Sequence, residues 1–479
     1  MILDSGRAPL LEAVQAAAAR DVLRLHTPAH QGRVDGGFAA LMGDAIAADL
    51  TELDETDDLR APSGPIAKAE ALAAAFFGAD HTFFLVGGAS VGNMAALLAC
   101  GRTSNGGGRP KVVIGRNAHV SAVSGLILAD WEPVWVEAPW DAAWDLVCPP
   151  QPAAFAAALA AHPDASAVFA TAPSYYGDAV DIGELRDVCG DRVLILDEAH
   201  GSHAPRALAA GADLVVHSAH KGLAGPTGGG YLSVRSQRVD SEDLAAALRL
   251  LQTTSPSFWI LAGLDAARRQ AALLAEATRR GGADFAGWDA AAVARLAVEA
   301  GVEIRRTEDP ARVLVRFPDG EQAYEGLARR GLVAEAALPA AVLLLVGPGS
   351  RMEVDRIADH LRAVASAMAD LRERAPSGRQ PGGFASAAAS LARRVVPPPP
   401  LPRAALAPRE AFLAKGRSVQ LERAVGHICA EAICPYPPGI PVLVPGEVID
   451  AAAVAHLEAV LGRNARMRVL EIGSRAPGP

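Results

Sequence analysis

The side chain in this sequence best suited to covalent chemistry is a lysine that follows an apolar, strand-like segment. Lysine occurs at only four positions, 68, 111, 221 and 415, whereas arginine is abundant. Lys221 closes the sequence Ser218-Ala219-His220-Lys221, which comes directly after the apolar run 214–216. A lysine at the end of a strand is usually a solvated surface residue. A desolvated lysine amine, however, can form a covalent bond with a carbonyl compound, so Lys221 is a candidate nucleophile.

A carboxylate, a histidine and an anion-binding turn follow other strand-like segments in the same way. Asp197 follows the apolar run 193–196, and His119 lies in a short loop after 112–114. The apolar run 82–86 leads into a glycine-rich turn at 87–92 that contains Ser90 and opens a helix. Free backbone N–H groups and the helix dipole attract an anion such as phosphate at such a turn. Taken alone, the turn is equally consistent with a tight bend capped by a serine.

These candidate residues belong to a series of alternating strands and helices. That alternation predicts a mainly parallel, doubly wound sheet with helices on both faces. Ligands of such sheets bind beyond the carboxyl ends of the strands. Ser90, His119, Asp197 and Lys221 are therefore expected at one edge of the sheet. The strand-like segments are 82–86, 112–114, 134–136, 167–170, 193–196 and 214–216.

The 479 residues exceed what one hydrophobic core usually organises, so several domains are expected. An N-terminal helix, predicted over 8–25, and a large sheet domain are expected within 1–255. A smaller α/β domain is expected at 256–375, with its clearest strands at 313–315 and 342–346. A Pro/Gly-rich linker over 376–402 and an appended C-terminal domain over 403–479 complete the predicted division.

Composition excludes several classes of function. The net charge of −9 without a basic block argues against nucleic-acid binding and favours a small-molecule partner. No long uncharged apolar span predicts a membrane helix, and the first residues do not resemble a secretory signal. Five cysteines without CxxC spacing favour a reduced, cytoplasmic protein. Two histidines in the loop 26–32 lack a third metal ligand nearby, so no metal is expected.

Three short motifs suggest other chemistries. Residues 88–92 match G-x-S-x-G, the nucleophile elbow of hydrolases, with Ser90 as the nucleophile. Residues 218–221 match S-x-x-K, but no lysine precedes a threonine to supply the K-T-G of penicillin-binding enzymes. Residues 197–200 spell the helicase sequence DEAH, but no phosphate-binding G-x-x-x-x-G-K-[ST] loop accompanies it. Of the three, only the serine hydrolase remains an alternative.

Pyridoxal phosphate is the cofactor that would use all the candidate residues together. It needs a lysine for covalent attachment, a carboxylate near the pyridine nitrogen and an anion-binding turn for its phosphate. Lys221, Asp197 and the turn 87–92 supply these three features, and His119 can contact the face of the ring.

The order and content of the motifs resemble the ornithine/lysine/arginine decarboxylase family of fold-type I pyridoxal-phosphate enzymes, in its short form. The resemblance implies an aspartate aminotransferase-like, seven-stranded, mainly parallel sheet, a smaller α/β domain and a decarboxylase-type C-terminal domain. It covers most of 26–268 and the C-terminal domain. The segments that carry it are HTPAHQG, DLTELDETDDLRAPSGPI, FFGADHTFFLVGGASVGN, RNAHVS, APSYYGDAVDI, LILDEAHGSH, SAHKGLAGPTGG, QTTSPSFWILAGLDAAR and PYPPGIPVLVPGE.

The resemblance assigns roles in cofactor binding by position. It implies that Lys221 binds pyridoxal phosphate covalently, that Asp197 bonds the pyridine nitrogen and that His119 stacks on the ring. The remaining cofactor contacts are implied at Ala199 on the other face of the ring and at Ala89, Ser90, Ser218 and His220 around the phosphate.

The resemblance also implies an activity and an assembly. The expected reaction is decarboxylation of arginine, lysine or ornithine to CO2 and a polyamine-type amine, with His220 or Lys221 returning a proton to the α-carbon. Glu447 and His200 are the candidates for substrate binding. Longer members carry an N-terminal wing domain that builds decamers, and this chain starts too late to include one. A homodimer is therefore expected, with residues 253–257 contributing to the partner's site.

The chain departs from the usual family pattern at five positions, namely Ala29, Gln31, Gly87, Gly228 and His427. None of them touches the implied covalent attachment, pyridine contact or ring stack, but they leave the substrate and the reaction type open. An aminotransferase or another pyridoxal-phosphate enzyme acting on an amino acid is therefore a second hypothesis.

Overall fold

The computed structural model describes residues 4–33, 37–102, 108–280, 288–299, 301–347, 354–374, 397–436 and 438–471. Its main element is a seven-stranded sheet with the order β1-β9-β8-β7-β6-β2-β3. The elements of this large domain are α1 (Pro9–Ala18), α2 (Gly37–Met42), α3 (Pro65–Phe77), β1 (His81–Leu85), α4 (Gly88–Arg102), β2 (Lys111–Gly115), α5 (Val120–Ala129), β3 (Glu132–Val136), β4 (Trp140–Asp141), β5 (Leu146–Val147), α6 (Pro152–Ala161), β6 (Ala167–Thr171), α7 (Ile182–Cys189), β7 (Val193–Asp197), β8 (Leu214–Ser218), α8 (Ala219–Gly222), β9 (Gly230–Val234), α9 (Ser241–Leu251) and α10 (Phe258–Arg279).

The prediction of a mainly parallel sheet is confirmed. Strands β3, β2, β6, β7 and β8 run parallel, and β9 pairs antiparallel with both β8 and β1. Successive residues of the central strands point to opposite faces. Leu194 and Leu196 enter one apolar core, whereas Ile195 enters the core on the other face. The sheet is thus covered on both sides, which explains why its strands read as continuous apolar runs.

Two smaller units follow the sheet. One contains a four-stranded sheet with the order β10-β11-β13-β12 and has its own apolar core. The other contains the two-stranded pair β14-β15 and a separate core. Their elements are α11 (Trp288–Glu299), β10 (Ile304–Arg305), β11 (Arg312–Arg316), α12 (Gly320–Arg329), β12 (Ala336–Leu338), β13 (Ala341–Leu345) and α13 (Val354–Arg374) in the small domain, and α14 (Pro408–Leu413), β14 (Gly416–Gln420), α15 (Ala451–Leu461) and β15 (Arg466–Leu470) in the C-terminal unit.

The N-terminal helix is shorter than its predicted span of 8–25. It ends at Ala18, and the apolar side chains beyond it face solvent. Leu23 and Leu25 are 76% and 78% exposed, so no core holds this stretch in a helix within one protomer. Apolar spacing alone therefore overestimated the length of the helix.

The first half of α10 packs with the large domain. Phe258, Leu261 and Leu264 lie in the same core as α1 and α3. The predicted boundary at 256 thus falls just before a helix that belongs partly to the sheet domain. Most of the predicted linker at 376–402 lies outside the described residues.

Candidate active site

A cavity of about 260 Å³ lies at the edge of the large sheet where the parallel strands end. It brings together every predicted site residue except Glu447. The predicted residues along its wall are Ala89, Ser90, His119, Asp197, Ala199, His200, Ser218, His220 and Lys221.

Lys221 reaches the cavity because the chain turns sharply after β8. All five residues of β8 are buried, and the one-turn helix α8 begins directly behind Ser218. The Lys221 Nζ lies 3.3 Å from His200 Nε2. Burial, the largest influence, lowers the pKa of the Lys221 amine, and the positive charge of Arg312 acts in the same direction. A lowered pKa increases the fraction of neutral amine, which is the nucleophilic form.

Asp197 ends β7, and both of its carboxylate oxygens are held in place. The Nδ2 of Asn93 donates to Asp197 Oδ2 at 2.8 Å, and the backbone amide of Ala199 donates to Oδ1 at 3.1 Å. The residue is only 3% exposed. A fixed, buried carboxylate of this kind suits a permanent bond to a protonated ring nitrogen.

His119 is oriented by a chain of hydrogen bonds from the neighbouring helix. Asn93 Nδ2 donates to Ser121 Oγ at 3.0 Å, and the Ser121 hydroxyl donates to His119 Nδ1 at 2.8 Å. The backbone amide of Ser121 also donates to His119 Nδ1, so His119 caps α5. Because Nδ1 accepts these bonds, the proton of the neutral ring lies on Nε2. Burial is the largest influence that lowers the pKa of His119.

The C-terminal unit covers His119. The amide of Val120 donates to the carbonyl of Gly439 at 3.0 Å. Gly439 has φ of +88°, and a Cβ at this position would lie 2.9 Å from His119 Cδ2. Only glycine fits this close approach at a positive φ without strain. Tyr436, Pro438 and Ile440 of the same loop also line the cavity.

The glycine-rich turn provides an anion-binding end to the cavity. Gly88 has φ of +72° and begins α4, so Ala89 and Ser90 lie in the first turn of that helix. A Cβ on Gly230 of β9 would lie 2.9 Å from the amide nitrogen of Ala89, which shows how closely the strand approaches the turn. Ser218 Oγ and His220 Nδ1 lie 3.2 Å apart in the wall of the same cavity. The helix start and these polar groups form a suitable environment for a phosphate.

Three further polar side chains in the wall have buried atoms without a hydrogen-bond partner among the described residues. They are Asn93 Oδ1, Asn117 Oδ1 and Thr171 Oγ1. Buried polar atoms are nearly always paired, so unpaired atoms in a cavity wall suit a polar guest. Together with the amine, the fixed carboxylate and the anion-binding turn, they show that the wall fits pyridoxal phosphate.

His200 lies between Lys221 and the small domain. The Nη2 of Arg312, at the start of β11, approaches His200 Nδ1 to 2.9 Å. Burial is the largest influence on His200 and places its pKa well below the usual value, with the charges of Lys221 and Arg312 adding to the effect. Tyr175 lies edge-on to the His200 ring, and its hydroxyl donates to Glu335 at 3.0 Å.

Glu447 lies away from the cavity in this protomer. Its carboxylate binds Arg116 through two hydrogen bonds, of 2.7 and 2.9 Å, and accepts a third from the amide of Val444. Arg116 in turn stacks over Trp135. These contacts join the C-terminal unit to the large domain, and the contact between Glu447 and substrate stays a prediction.

Sequence reasoning missed several residues that shape the site. Asn93 sits one helical turn beyond Ser90, a spacing that could have placed it on the same face of α4. Ser121, two residues after His119, carried the signal of a helix start. Arg312 carried no signal, because a basic residue at the start of a small-domain strand usually faces solvent.

Comparison with known proteins identifies the family of this chain. A model of the Orn/Lys/Arg decarboxylase major domain matches residues 8–317, and a model of the C-terminal domain of the same family matches 390–467. A protein named arginine decarboxylase from Halalkalibacterium halodurans is 32% identical over 94% of this chain and 92% of its own length. Another arginine decarboxylase, from Bacillus subtilis, is 29% identical over the same shares.

Solved structures agree on the fold. Lysine decarboxylase A from Pseudomonas aeruginosa has a TM-score of 0.77 at 21% identity and covers 97% of this chain and 80% of its own. The lysine decarboxylase of Francisella novicida has a TM-score of 0.78 at 18% identity and covers 97% of this chain and 81% of its own. The predicted fold-type I architecture is thereby confirmed. Because the family models match most of the chain and a relative matches nearly all of it, this chain belongs to the Orn/Lys/Arg decarboxylase family.

Proposed function

We propose that this chain is a decarboxylase that uses pyridoxal phosphate to release CO2 from arginine. The observation that carries this proposal is one cavity in which the Lys221 amine, the fixed Asp197 carboxylate and the anion-binding turn after β1 meet. The reaction class and cofactor follow from the family. The choice of arginine rests on relatives that are named arginine decarboxylase and match nearly the whole chain.

Different residues of the cavity would bind different parts of the cofactor. Lys221 would bind it covalently, Asp197 would keep its ring nitrogen protonated, and His119 and Ala199 would enclose the ring. The phosphate would be held by Ala89, Ser90, Ser218 and His220. When bound, pyridoxal phosphate supplies an electron sink for the electron pair that departing CO2 leaves behind.

The protein fixes the position of negative charge and the protonation state of side chains around the bound cofactor. Asn93 and the Ala199 amide hold both oxygens of Asp197, so its negative charge stays in one place. Burial is the largest influence lowering the pKa of His220 and of Lys221, which favours the neutral form of each side chain. His220 or Lys221 would return the proton to the α-carbon once CO2 has left.

Recognition of the distal cation of the substrate needs a group that this protomer does not place in the cavity. Among the described residues that line it, Asp197 is the only carboxylate, and both of its oxygens are already bonded. A guanidinium or ammonium group pairs most strongly with a carboxylate, and the rings of Tyr175, Tyr176 and Tyr436 in the wall offer only weaker contacts. We propose that a second subunit completes this end of the site in a homodimer.

Exposed apolar side chains on one protomer support the dimer. Leu23, Leu25, Leu41 and Leu250 are each more than 70% exposed. Burying such side chains against a second subunit would remove their apolar surface from water and so stabilise the dimer. Residues 253–255 are exposed as well and lie outside the cavity of their own chain, as a segment that serves the partner's site would.

A cytoplasmic location and a place in polyamine supply are part of the same proposal. None of the five cysteines, all of which lie in the described part of the chain, forms a disulfide, which suits a reducing compartment. Decarboxylation of arginine yields an amine of the polyamine type. Among the described residues, no helix combines the length and apolarity needed to cross a bilayer.

The experiment that tests the activity is a CO2-release panel with arginine, lysine and ornithine on the purified full chain. We expect release chiefly from arginine, with the visible absorption of a lysine-bound cofactor. Lys221→Ala should lose both signals, whereas Lys415→Ala should keep them because Lys415 is exposed and forms a surface ion pair with Glu471. Release chiefly from lysine or ornithine would reject arginine, and keto-acid formation without CO2 would identify an aminotransferase.

The family assignment decides against the serine hydrolase that the Gly88–Gly92 sequence suggested. Ser90 lies in the first turn of α4 and lines the same cavity as Lys221. An active-site fluorophosphonate is accordingly expected to leave Ser90 unlabelled.

A further inference from the structure

The feature that the proposed reaction leaves unexplained is a buried arginine behind the active-site lysine. Arg312 opens β11 of the small domain and is only 4% exposed. Its Nη2 lies 2.9 Å from His200 Nδ1, and His200 Nε2 lies 3.3 Å from Lys221 Nζ. Three side chains from two domains thus form a line that ends at the reactive amine.

The order of donors and acceptors along this line follows from chemistry. A guanidinium has N–H donors and no acceptor, so the Nδ1 of His200 must accept. The proton of the neutral His200 ring then lies on Nε2, which faces Lys221 Nζ. An N–H can donate to Nζ only if that nitrogen has a free lone pair, and a protonated lysine has none.

We propose that Arg312 is a positioning residue that fixes the tautomer of His200 so that its Nε2–H donates to the neutral amine of Lys221. The inference rests on the part of the proposed function in which Lys221 is the covalent attachment site. It concerns the protonation state of that amine, not the decarboxylation that follows. Arg312 acts through His200 and makes no contact of its own with Lys221 in this scheme.

Packing holds Arg312 in this position from the large domain. Gly177 has φ of +101°, and a Cβ there would lie 2.9 Å from Arg312 Cβ, so only glycine permits this approach. Asp309 binds His203 at 3.0 Å, which ties the loop before β11 to the loop after β7. A Cβ on Gly222 of α8 would lie 3.0 Å from His203 Nδ1. The helix that carries Lys221 therefore packs closely against His203, the partner of Asp309.

Arg312 Nη1 is buried and has no hydrogen-bond partner among the described residues. Its partner at Nη2 is a histidine, although arginines this deeply buried are normally paired with carboxylates. A carboxylate at the position of His200 would place a negative charge beside Lys221 and favour the protonated form of the lysine. The neutral ring avoids that attraction and leaves a donor facing the amine.

The other ionisable groups near Lys221 act in both directions. The negative charges of Asp197 and Glu335 raise the pKa of the amine, whereas burial and Arg312 lower it. His119 and His220 are neighbours of Lys221 as well, and burial lowers the pKa of each. A test must therefore separate the tautomer of His200 from the simple charge of Arg312.

A double-mutant cycle makes that separation. The full chain, stripped of cofactor, is mixed with pyridoxal phosphate over a range of pH and quenched with borohydride, and modified Lys221 is quantified by mass spectrometry. In the wild type we expect half-maximal labelling well below the pH at which an ordinary lysine reacts. Arg312→Met should move this midpoint up by about one pH unit, a roughly tenfold fall in labelling at neutral pH.

The decisive comparison uses His200→Leu as the background. If Arg312 acts through the ring, Arg312→Met in that background should cause a clearly smaller further shift, and Arg312→Lys alone should restore most of the wild-type midpoint. An equal shift in both backgrounds would mean that only the charge of Arg312 matters and would overturn the proposal. So would an unchanged midpoint in Arg312→Met.

Two controls test whether a shift in the midpoint is specific to Arg312 and whether each variant is folded. Arg316→Met removes an arginine from the same strand, where it stacks over Trp144, and should leave the midpoint unchanged. Circular dichroism of every variant verifies the fold, and only folded variants enter the cycle. Because labelling requires no CO2 release, a failure of the proposed decarboxylase activity would leave the result of this experiment readable.

Discussion

At the scale of single residues, the site is built from side chains whose protons are controlled by their neighbours. Asp197 is held by two donors, His119 by two donors from Ser121, and His200 by Arg312. Fixed hydrogen-bonding partners cost no reorganisation during a reaction, so they are the usual basis of electrostatic catalysis.

A titratable residue away from the site gives a prediction about stability. Glu70 of α3 is fully buried and accepts a hydrogen bond from the Phe84 amide at 2.9 Å. Burial raises its pKa from 4.5 to about 8. The folded protein therefore keeps Glu70 protonated at pH values where the unfolded chain has already ionised it. Stability is lost as pH rises from about 4.5 and levels off above about 8.

Glu70→Gln should remove this loss because glutamine keeps the acceptor and cannot ionise. We expect the variant to match the wild type near pH 5 and to be more stable by up to a few kcal/mol near pH 8. Thermal unfolding at the two pH values measures the difference. If the difference in Tm between the variant and the wild type is the same at both pH values, Glu70 ionises normally despite its burial.

At the scale of elements, the sequence was most informative where a strand ends in a polar residue. The strands before Ser90, His119, Asp197 and Lys221 were recognisable as apolar runs, and parallel topology forces their ends to one edge. All four of these residues line one cavity. No pattern in the sequence could bring Arg312 to this edge, because its position depends on how the small domain docks.

The extent of helices was less predictable. The apolar spacing of 8–25 continues past Ala18, but the helix ends there because later apolar residues have no core to enter in one protomer. A domain boundary drawn at 256 separates α10 from the large-domain core, although the first half of this helix packs into that core. We propose that the boundary between the large and small domains lies near the end of α10 instead.

The loop around Gly439 gives a prediction at this scale. Gly439→Ala adds a Cβ 2.9 Å from His119 Cδ2, at a φ of +88°. We expect His119 to shift, the bound cofactor to show altered visible absorption and circular dichroism, and pyridoxal phosphate to bind at least several-fold more weakly.

A matched control is available in the same unit. Gly426 has φ of +82°, and no atom of the described part of the chain lies within 4 Å of a Cβ built there. Gly426→Ala therefore carries the same backbone cost without the contact. If both variants weaken cofactor binding equally, the effect belongs to the stability of the C-terminal unit and the role of Gly439 beside His119 is refuted.

At the scale of the whole molecule, the large domain and the C-terminal unit line the cavity, and the small domain lies behind its wall, where Arg312 contacts His200. The C-terminal unit is attached to the large domain by Arg116–Glu447, which is nearly buried, and by Arg109–Glu410, which is partly exposed. Removing one partner of a buried pair leaves an unpaired charge and costs about 3–5 kcal/mol. An exposed pair contributes only about 0–1 kcal/mol.

These contacts give a prediction that also tests the expected role of Glu447. Glu447→Gln should lower the free energy of unfolding by about 3 kcal/mol, whereas Glu410→Gln should change it by less than about 1 kcal/mol. Chemical denaturation measures both. If Glu447 acts only as an ion-pair partner, the KM of the folded variant for arginine stays near the wild-type value. A large rise in KM without loss of stability would instead identify it as a substrate ligand.

The shared construction of the cavity has a consequence for how such enzymes diversify. The groups that would handle the cofactor project from one sheet edge, while Tyr436, Pro438 and Ile440 enter from a separately folded C-terminal unit. Mutations at these three positions can remodel the cavity wall while the sheet that holds Lys221 and Asp197 stays unchanged. The chemistry and the choice of substrate can therefore change separately, and laboratory evolution of specificity should begin with Tyr436, Pro438 and Ile440 and leave Gly439, which packs against His119, unchanged.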